Sequence, residues 1–239
     1  MFNISNLFYS KKYRSLDIFK DVIGYEDIKD LLCIALESEH SISILLSGNP
    51  GNGKSTFLKC IEEQYNKCSV FFDCTLMSKA GLRDFLIENS KIKILLLDEI
   101  SRLRKTDQEI LLNLLHDGRI IDIHSGGQRK EIKFNSLKVF ATCNDIEKII
   151  PPLRDRFDEY LLPEYTYEQF KDICSQIIRN SDINLKIKMA NSVWNQLGSN
   201  KIRDVVNMSK YVKSYSDISK YISIKEKYKI AYNPRKLKM

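Results

Sequence analysis

The residues Gly48-Asn49-Pro50-Gly51-Asn52-Gly53-Lys54-Ser55 place a glycine, four intervening residues and then Gly-Lys-Ser in one short run. That spacing suits a polyphosphate such as ATP. Glycines let successive backbone N–H groups turn toward one anion with no Cβ in the way. Lys54 is expected to reach the β- and γ-phosphates, the Ser55 hydroxyl to ligand Mg²⁺, and Thr56 to close the loop. A second cluster lies downstream, where the apolar run Ile92–Leu97 ends in Asp98-Glu99. Phosphoryl transfer needs an acid near Mg²⁺ and a group that orients the attacking water. Asp98 is expected to hold the metal and Glu99 to polarise the water.

These side chains must be held by regular elements. Ile42–Leu46 reads as a strand entering the loop and Thr56–Asn66 as a helix whose N-terminus faces the phosphates. The carboxylates would sit at the C-terminal end of a buried strand, where open α/β sheets bind ligands. Further strands are expected at Val70–Asp73, Ile92–Asp98, Lys138–Thr142 and Glu159–Leu162, and further helices at Tyr25–Glu37, Leu82–Glu88 and Asp107–His116. Continuous apolar strands alternating with helices indicate a parallel sheet covered on both faces, a three-layer αβα domain. After Pro163 the strand signals stop, and Tyr167–Ile178, Lys188–Leu197 and Ile202–Val212 show helical spacing only. The expected plan is an N-terminal extension over 1–19, an α/β nucleotide-binding domain over 20–163, an all-helical lid over 164–216 and a basic tail over 217–239.

With 239 residues, 43% of them hydrophobic and 29% charged, the chain can bury a substantial core. No apolar stretch is long enough to span a membrane, and the N-terminus lacks the pattern of a secretory signal, so a cytoplasmic protein is expected. The six cysteines form no C-x-x-C pair, which favours reduced, buried thiols over disulfides or a zinc site. The net charge of +7 is concentrated at the C-terminus, where seven basic residues from Lys220 onward face one acid, Glu226. Such a tail reads either as a solvated, partly disordered segment or as a contact for nucleic acid or an acidic partner. Ile120–Phe134 alternates apolar and polar residues around Ser125-Gly126-Gly127-Gln128 and reads as a hairpin. Tyr165, Tyr167 and Phe170 read as residues packing against the α/β domain, and Trp194 as part of a helical core.

In this order the motifs resemble the AAA+ ATPase superfamily, over about Leu16 to Ser214. Lys138-Val139-Phe140-Ala141-Thr142-Cys143-Asn144 looks like its sensor-1 strand, which implies that Asn144 aligns the attacking water. Pro151-Pro152-Leu153-Arg154-Asp155-Arg156-Phe157-Asp158 looks like its arginine-finger segment, with Arg156 reaching into a neighbouring subunit's site and Arg154 as second candidate. Asp21-Val22-Ile23-Gly24-Tyr25-Glu26-Asp27 resembles the entry motif whose backbone, at Val22 and Ile23, cups the adenine. Gly198–Asp204 loosely resembles the sensor-2 region, with Arg203 as the phosphate contact or Lys201 in another register. Within the superfamily the chain is most similar to RuvB-like motors of Holliday-junction branch migration, through Leu153–Asp158 and Val22-Ile23-Gly24, and more narrowly to compact archaeal RuvB-like ATPases. That family carries a winged-helix DNA-binding domain after the lid, whereas only about 25 residues follow here, too few for one.

The resemblance implies a homo-oligomeric ring with ATP sites between subunits. Thr75–Gly81 and the hairpin would supply central-pore loops, with Lys79, Arg129 and Lys130 near a DNA backbone. A DNA motor is the leading expectation, with a protein-remodelling ATPase and a slow ATP-gated assembly switch as rivals.

Overall fold

The computed structural model describes residues 18–75, 79–123, 129–178 and 182–231. It falls into two compact units, one of residues 1–49 and 53–162, the other of 50–52 and 163–239.

In the first unit, the elements in chain order are α1 (Glu26–Glu37), β1 (Ile42–Ser47), α2 (Lys54–Gln64), β2 (Ser69–Asp73), α3 (Lys79–Glu88), β3 (Ile94–Asp98), α4 (Lys105–Asp117), β4 (Arg119–Ile123), β5 (Arg129–Lys133), β6 (Lys138–Cys143), α5 (Pro151–Arg154) and β7 (Asp158–Leu161). Five strands form an all-parallel sheet in the order β2-β3-β6-β1-β7. The continuous apolar strands follow from cover on both sides. Leu45, Leu95, Leu97, Val139 and Ala141 face a core with Leu82, Leu86, Leu111 and Leu114. Ile44, Leu46, Ile94, Leu96 and Phe140, the alternate positions, face Leu32, Leu36, Phe57, Leu58 and Ile61. A strand buried on both faces has no polar side to reveal its period, so the expected three-layer αβα architecture is the one found.

The expected hairpin is present as the antiparallel pair β4–β5, with Ile120 opposite Ile132. Its turn, residues 124–128, lies outside the described residues, as do residues 76–78 of the first expected pore loop and the N-terminal extension up to residue 17. Gly118 turns the chain from α4 into β4. It sits at φ 64°, its carbonyl accepts the Phe134 N–H at 2.7 Å, and a Cβ there would meet the Phe134 carbonyl oxygen at 2.9 Å.

The second unit is all helical: α6 (Tyr167–Ile177), α7 (Ile183–Asn195), α8 (Ile202–Ser209) and α9 (Tyr215–Ala231). Thr166 and Gln169 form a reciprocal capping box on α6, and the Asp182 carboxylate caps α7, which starts five residues before the expected Lys188. Within this unit the rings of Tyr167 and Phe170 stand 5.5 and 5.1 Å from that of Trp194. Most of the stretch expected as a basic tail lies in helix α9, anchored by buried Ile218 and Ile222. Among the described residues no helix is long and apolar enough to cross a membrane.

Candidate functional site

Parallel pairing brings the ends of β1, β3 and β6 to one edge of the sheet. Ser47 lies beside Cys143, and Leu97 beside Ala141. Each strand releases its functional residue there: the loop 48–53 after β1, Asp98-Glu99 at the end of β3, and Asn144 after β6.

The loop backbone needs its glycines. Gly48 has φ 143°, and a Cβ on it would lie 2.7 Å from the Leu162 carbonyl oxygen. Gly53 has φ 79° and immediately precedes α2, which begins at Lys54 and so takes in the end of the motif itself. Lys54 is buried, and its ammonium donates to the carbonyls of Gly48 and Asn49, both at 2.8 Å. Burial lowers its pKa, with Glu99, Cys143 and Asp98 acting in the opposite direction. At the loop tip Pro50 is exposed, and buried Asn52 donates its side-chain amide to the Pro163 carbonyl at 3.0 Å. Thr56 lies in the first turn of α2, its N–H on the Gly53 carbonyl.

The Ser55 hydroxyl donates to Asp98 Oδ1 at 2.8 Å, joining the start of α2 to the end of β3 across 43 residues. Thr142 was not singled out from the sequence, yet it holds the cluster together. Its fully buried hydroxyl donates to the same Asp98 oxygen at 2.5 Å and accepts the Glu99 N–H at 2.9 Å. A lone hydroxyl inside the apolar strand β6 was the available signal. Glu99 sits in the left-handed region at φ 61° and ψ 48°, so the chain turns sharply after β3. Its Oε1 accepts a hydrogen bond from the Asn144 amide, while Oε2 is buried with no hydrogen-bond partner among the described residues. Burial, and then the neighbouring Asp98 charge, push the Glu99 carboxyl above its ordinary range.

The two arginines have different surroundings. Arg154 pairs with Glu159 through Nε at 2.9 Å and its terminal nitrogen at 2.8 Å, and Glu159 also accepts the Ser47 hydroxyl at 3.1 Å. That arrangement ties α5 to the ends of β7 and β1. Arg156 is exposed and, among the described residues, has no ion pair or side-chain hydrogen bond. Gln108, also missed from sequence, is fully buried. Its amide donates to Leu103 and Lys148 carbonyls and its oxygen accepts the Ile150 N–H, bracing α4 against the segment that carries both arginines.

Val22 is buried and Ile23 half-buried, in a segment anchored by Phe19 and Tyr25, whose rings stand 5.3 and 6.2 Å from Phe57 of α2. Arg203 is exposed in the first turn of α8, and Lys201 is its exposed N-cap, both in the second unit. The side chains of Lys79, Arg129 and Lys130 lie outside what the structure describes.

The donor set fits a Mg²⁺–nucleoside triphosphate on structural grounds. A hydroxyl and a carboxylate already meet, an ammonium rests on loop carbonyls, and a buried carboxylate oxygen has no partner of its own.

Residues 15–161 match the family model described as the Holliday junction DNA helicase RuvB P-loop domain. The Holliday junction branch migration complex subunit RuvB of Prochlorococcus marinus (strain MIT 9215) is 29% identical over 181 residues, covering 70% of this chain and 50% of the relative. That of Fusobacterium nucleatum subsp. nucleatum is 31% identical over 174 residues, covering 69% and 52%. The chain thus spans about half the length of the curated relatives it matches. Among solved structures, a mutant of Thermotoga maritima RuvB superimposes with a TM-score of 0.66 at 21% identity, covering 86% of this chain and 72% of that one. With the family model spanning the whole α/β sheet and every element of the phosphate site, the chain belongs to the RuvB P-loop domain family of AAA+ proteins.

Proposed function

We propose that this chain is a Mg²⁺-dependent ATPase that works as an oligomeric motor on DNA in the cytoplasm. The observation that carries the reading is the convergence of Ser55 and Thr142 on Asp98, with Glu99 held beside them by Asn144. Gly48, Asn49, Gly51, Gly53 and Lys54 would cradle the phosphates, Ser55 and Asp98 would hold the metal, and Val22 and Ile23 would border the adenine. The bound metal would supply charge neutralisation across the β- and γ-phosphates. Glu99 then serves as the acceptor that orients and polarises water, and its unpartnered buried oxygen suits that task. Asn144 fixes the other oxygen and so sets the direction of the carboxylate.

Arg156, exposed and without a partner among the described residues, is available to complete a neighbour's site, whereas Arg154 is engaged by Glu159. Arg203 or Lys201 would contact phosphate from the helical unit. DNA as the polymer rests on the relatives' names, which describe subunits of a Holliday junction branch migration complex, and on the basic C-terminus. Those names call the relatives subunits of a complex, which supports assembly with further chains. Protein remodelling and a slow assembly switch have no observation of their own in their favour.

The test is ATP turnover measured alone and with duplex, single-stranded and four-way-junction DNA. Stimulation by DNA is expected, together with loss of turnover but retained ATP binding in Glu99→Gln. Turnover indifferent to every DNA form would remove the motor-on-DNA reading.

A further inference from the structure

An ordinary surface helix buries one apolar stripe and turns polar residues to water. Helix α9 departs from that rule. Ile218 and Ile222 form its buried face. A second stripe runs along it at three- and four-residue spacing: half-buried Tyr221, then exposed Ile224, Lys225 and Tyr228. Ile224 is 50% exposed and Tyr228 65%. Tyr211, 71% exposed, extends the stripe, its ring 5.9 Å from that of Tyr221 and tilted only 32° from it. Ammonium groups are seated on these rings, Lys225 at 5.7 Å from the Tyr221 centroid and Lys227 at 5.9 Å from that of Tyr228.

Charge decides between partners. Lys213, Lys220, Lys225 and Lys227 are exposed in and just before α9, and of the two acids on α9 one, Asp217, is used within the chain. It accepts the N–H groups of Lys213 and Ser214 at 3.0 and 2.9 Å and the Ser214 hydroxyl at 2.8 Å. Only Glu226 opposes the lysines from an exposed position. A second copy of this face would bring like charges together. An anionic polymer with flat apolar groups suits both features, because bases stack on tyrosine rings while phosphates meet the ammonium groups. The bases must be unpaired, since a duplex hides their faces. From Tyr221 to Tyr228 is about 10 Å along the helix axis, room for about two extended nucleotides.

We infer that the stripe formed by half-buried Tyr221 and exposed Tyr228 of α9, extended by Tyr211 just before the helix, with Lys225 and Lys227, is a binding surface for single-stranded DNA. The choice of DNA rests on the motor reading above; the contact itself rests on α9 and Tyr211.

Fluorescence anisotropy of the full chain with a labelled oligothymidylate of about twenty nucleotides, and with a duplex of equal length, tests it. Single-strand binding is expected to exceed duplex binding. Tyr221→Ala and Tyr228→Ala should each weaken it by at least about fivefold, whereas Tyr228→Phe, which keeps the ring, should not. Lys225→Gln should lower the slope of log K against log salt by about 0.7. Tyr228 is largely exposed, so Tyr228→Ala should keep the fold, and its circular dichroism checks this. Unchanged affinity in Tyr228→Ala, equal affinity for duplex, or no binding by the unaltered chain would overturn the proposal. So would a Tyr221→Ala/Tyr228→Ala chain that self-associates less while binding DNA as before, which would make the stripe a contact between copies. ATP turnover in the same samples separates the two readings. Tyrosine-dependent binding without turnover removes the motor and keeps the surface; turnover with tyrosine-independent binding does the reverse.

Discussion

One hydroxyl, that of Thr142, serves both carboxylate residues of the site, accepting from the Glu99 backbone and donating to Asp98. Thr142→Val keeps the volume and deletes both bonds. A buried N–H left without a partner costs about 1–3 kcal/mol, so the variant should melt earlier. Its turnover should fall by about tenfold or more, since each 1.36 kcal/mol lost at the transition state is tenfold in rate. ATP affinity should change far less, because Lys54 and the loop remain. Thr142→Ser should recover turnover; failure to do so would assign Thr142 to packing alone. Arg156 calls for a different test. An arginine acting from a neighbour is worth ~10³–10⁵ in rate, so Arg156→Ala should bind ATP and hydrolyse it poorly. Mixed with Lys54→Ala, which has an arginine but a poor phosphate site, it should regain activity. Co-assembled mixtures that stay inactive would refute action between subunits. At this scale the sequence was legible wherever the chemistry is contiguous, as in Gly48–Ser55 and Asp98-Glu99. Thr142, Gln108 and Glu159 escaped because each has a partner 40 to 112 residues away, reached through strand register or helix packing.

Among the elements, the β4–β5 hairpin depends on how α4 ends. Gly118 is in the left-handed region, with the Phe134 carbonyl where a Cβ would go. A non-glycine residue there costs roughly 1–2 kcal/mol from the backbone conformation alone, and the close approach adds to it. Gly118→Ala should therefore lower thermal stability measurably, while a control such as Asn113→Ala, on an exposed position of α4, should not. An unchanged melting temperature would mean that the α4–β4 turn relaxes freely. The strands and the helices α1 to α4 were legible because their apolar runs and spacing are strong, and their limits moved by only a few residues. Helix α9 was not, because among its described side chains only Ile218 and Ile222 are buried and its lysines resemble a basic tail.

For the molecule as a whole, all six cysteines are free and buried. Burial is the leading cause in pushing the thiols up, Cys33 and Cys60 to about 11 and Cys143 and Cys174 to about 12. Below about pH 8.5, the ordinary thiol value, both folded and unfolded chains hold neutral thiols and no penalty arises. Between there and about pH 11 the unfolded chain ionises first, so each such thiol lowers stability by up to about 1.4 kcal/mol per pH unit. The urea midpoint should fall from about pH 8.5 to about 10.5, less steeply in Cys174→Ala, and a flat profile would contradict this. The sheet order has a kinetic consequence. Strand β1, which leads into the phosphate loop, has β6 and β7 as its neighbours among the described residues, and Ile42 pairs with Lys138. Its partners leave the ribosome roughly a hundred residues after it, about 5–20 s later at ordinary synthesis rates. Until then β1 has no strand to pair with, and β2 and β3 can join each other but not reach it. The nucleotide pocket is therefore assembled late and as a unit, and a nascent chain cut short before β6 should show no nucleotide protection even with the whole Gly48–Ser55 motif already made.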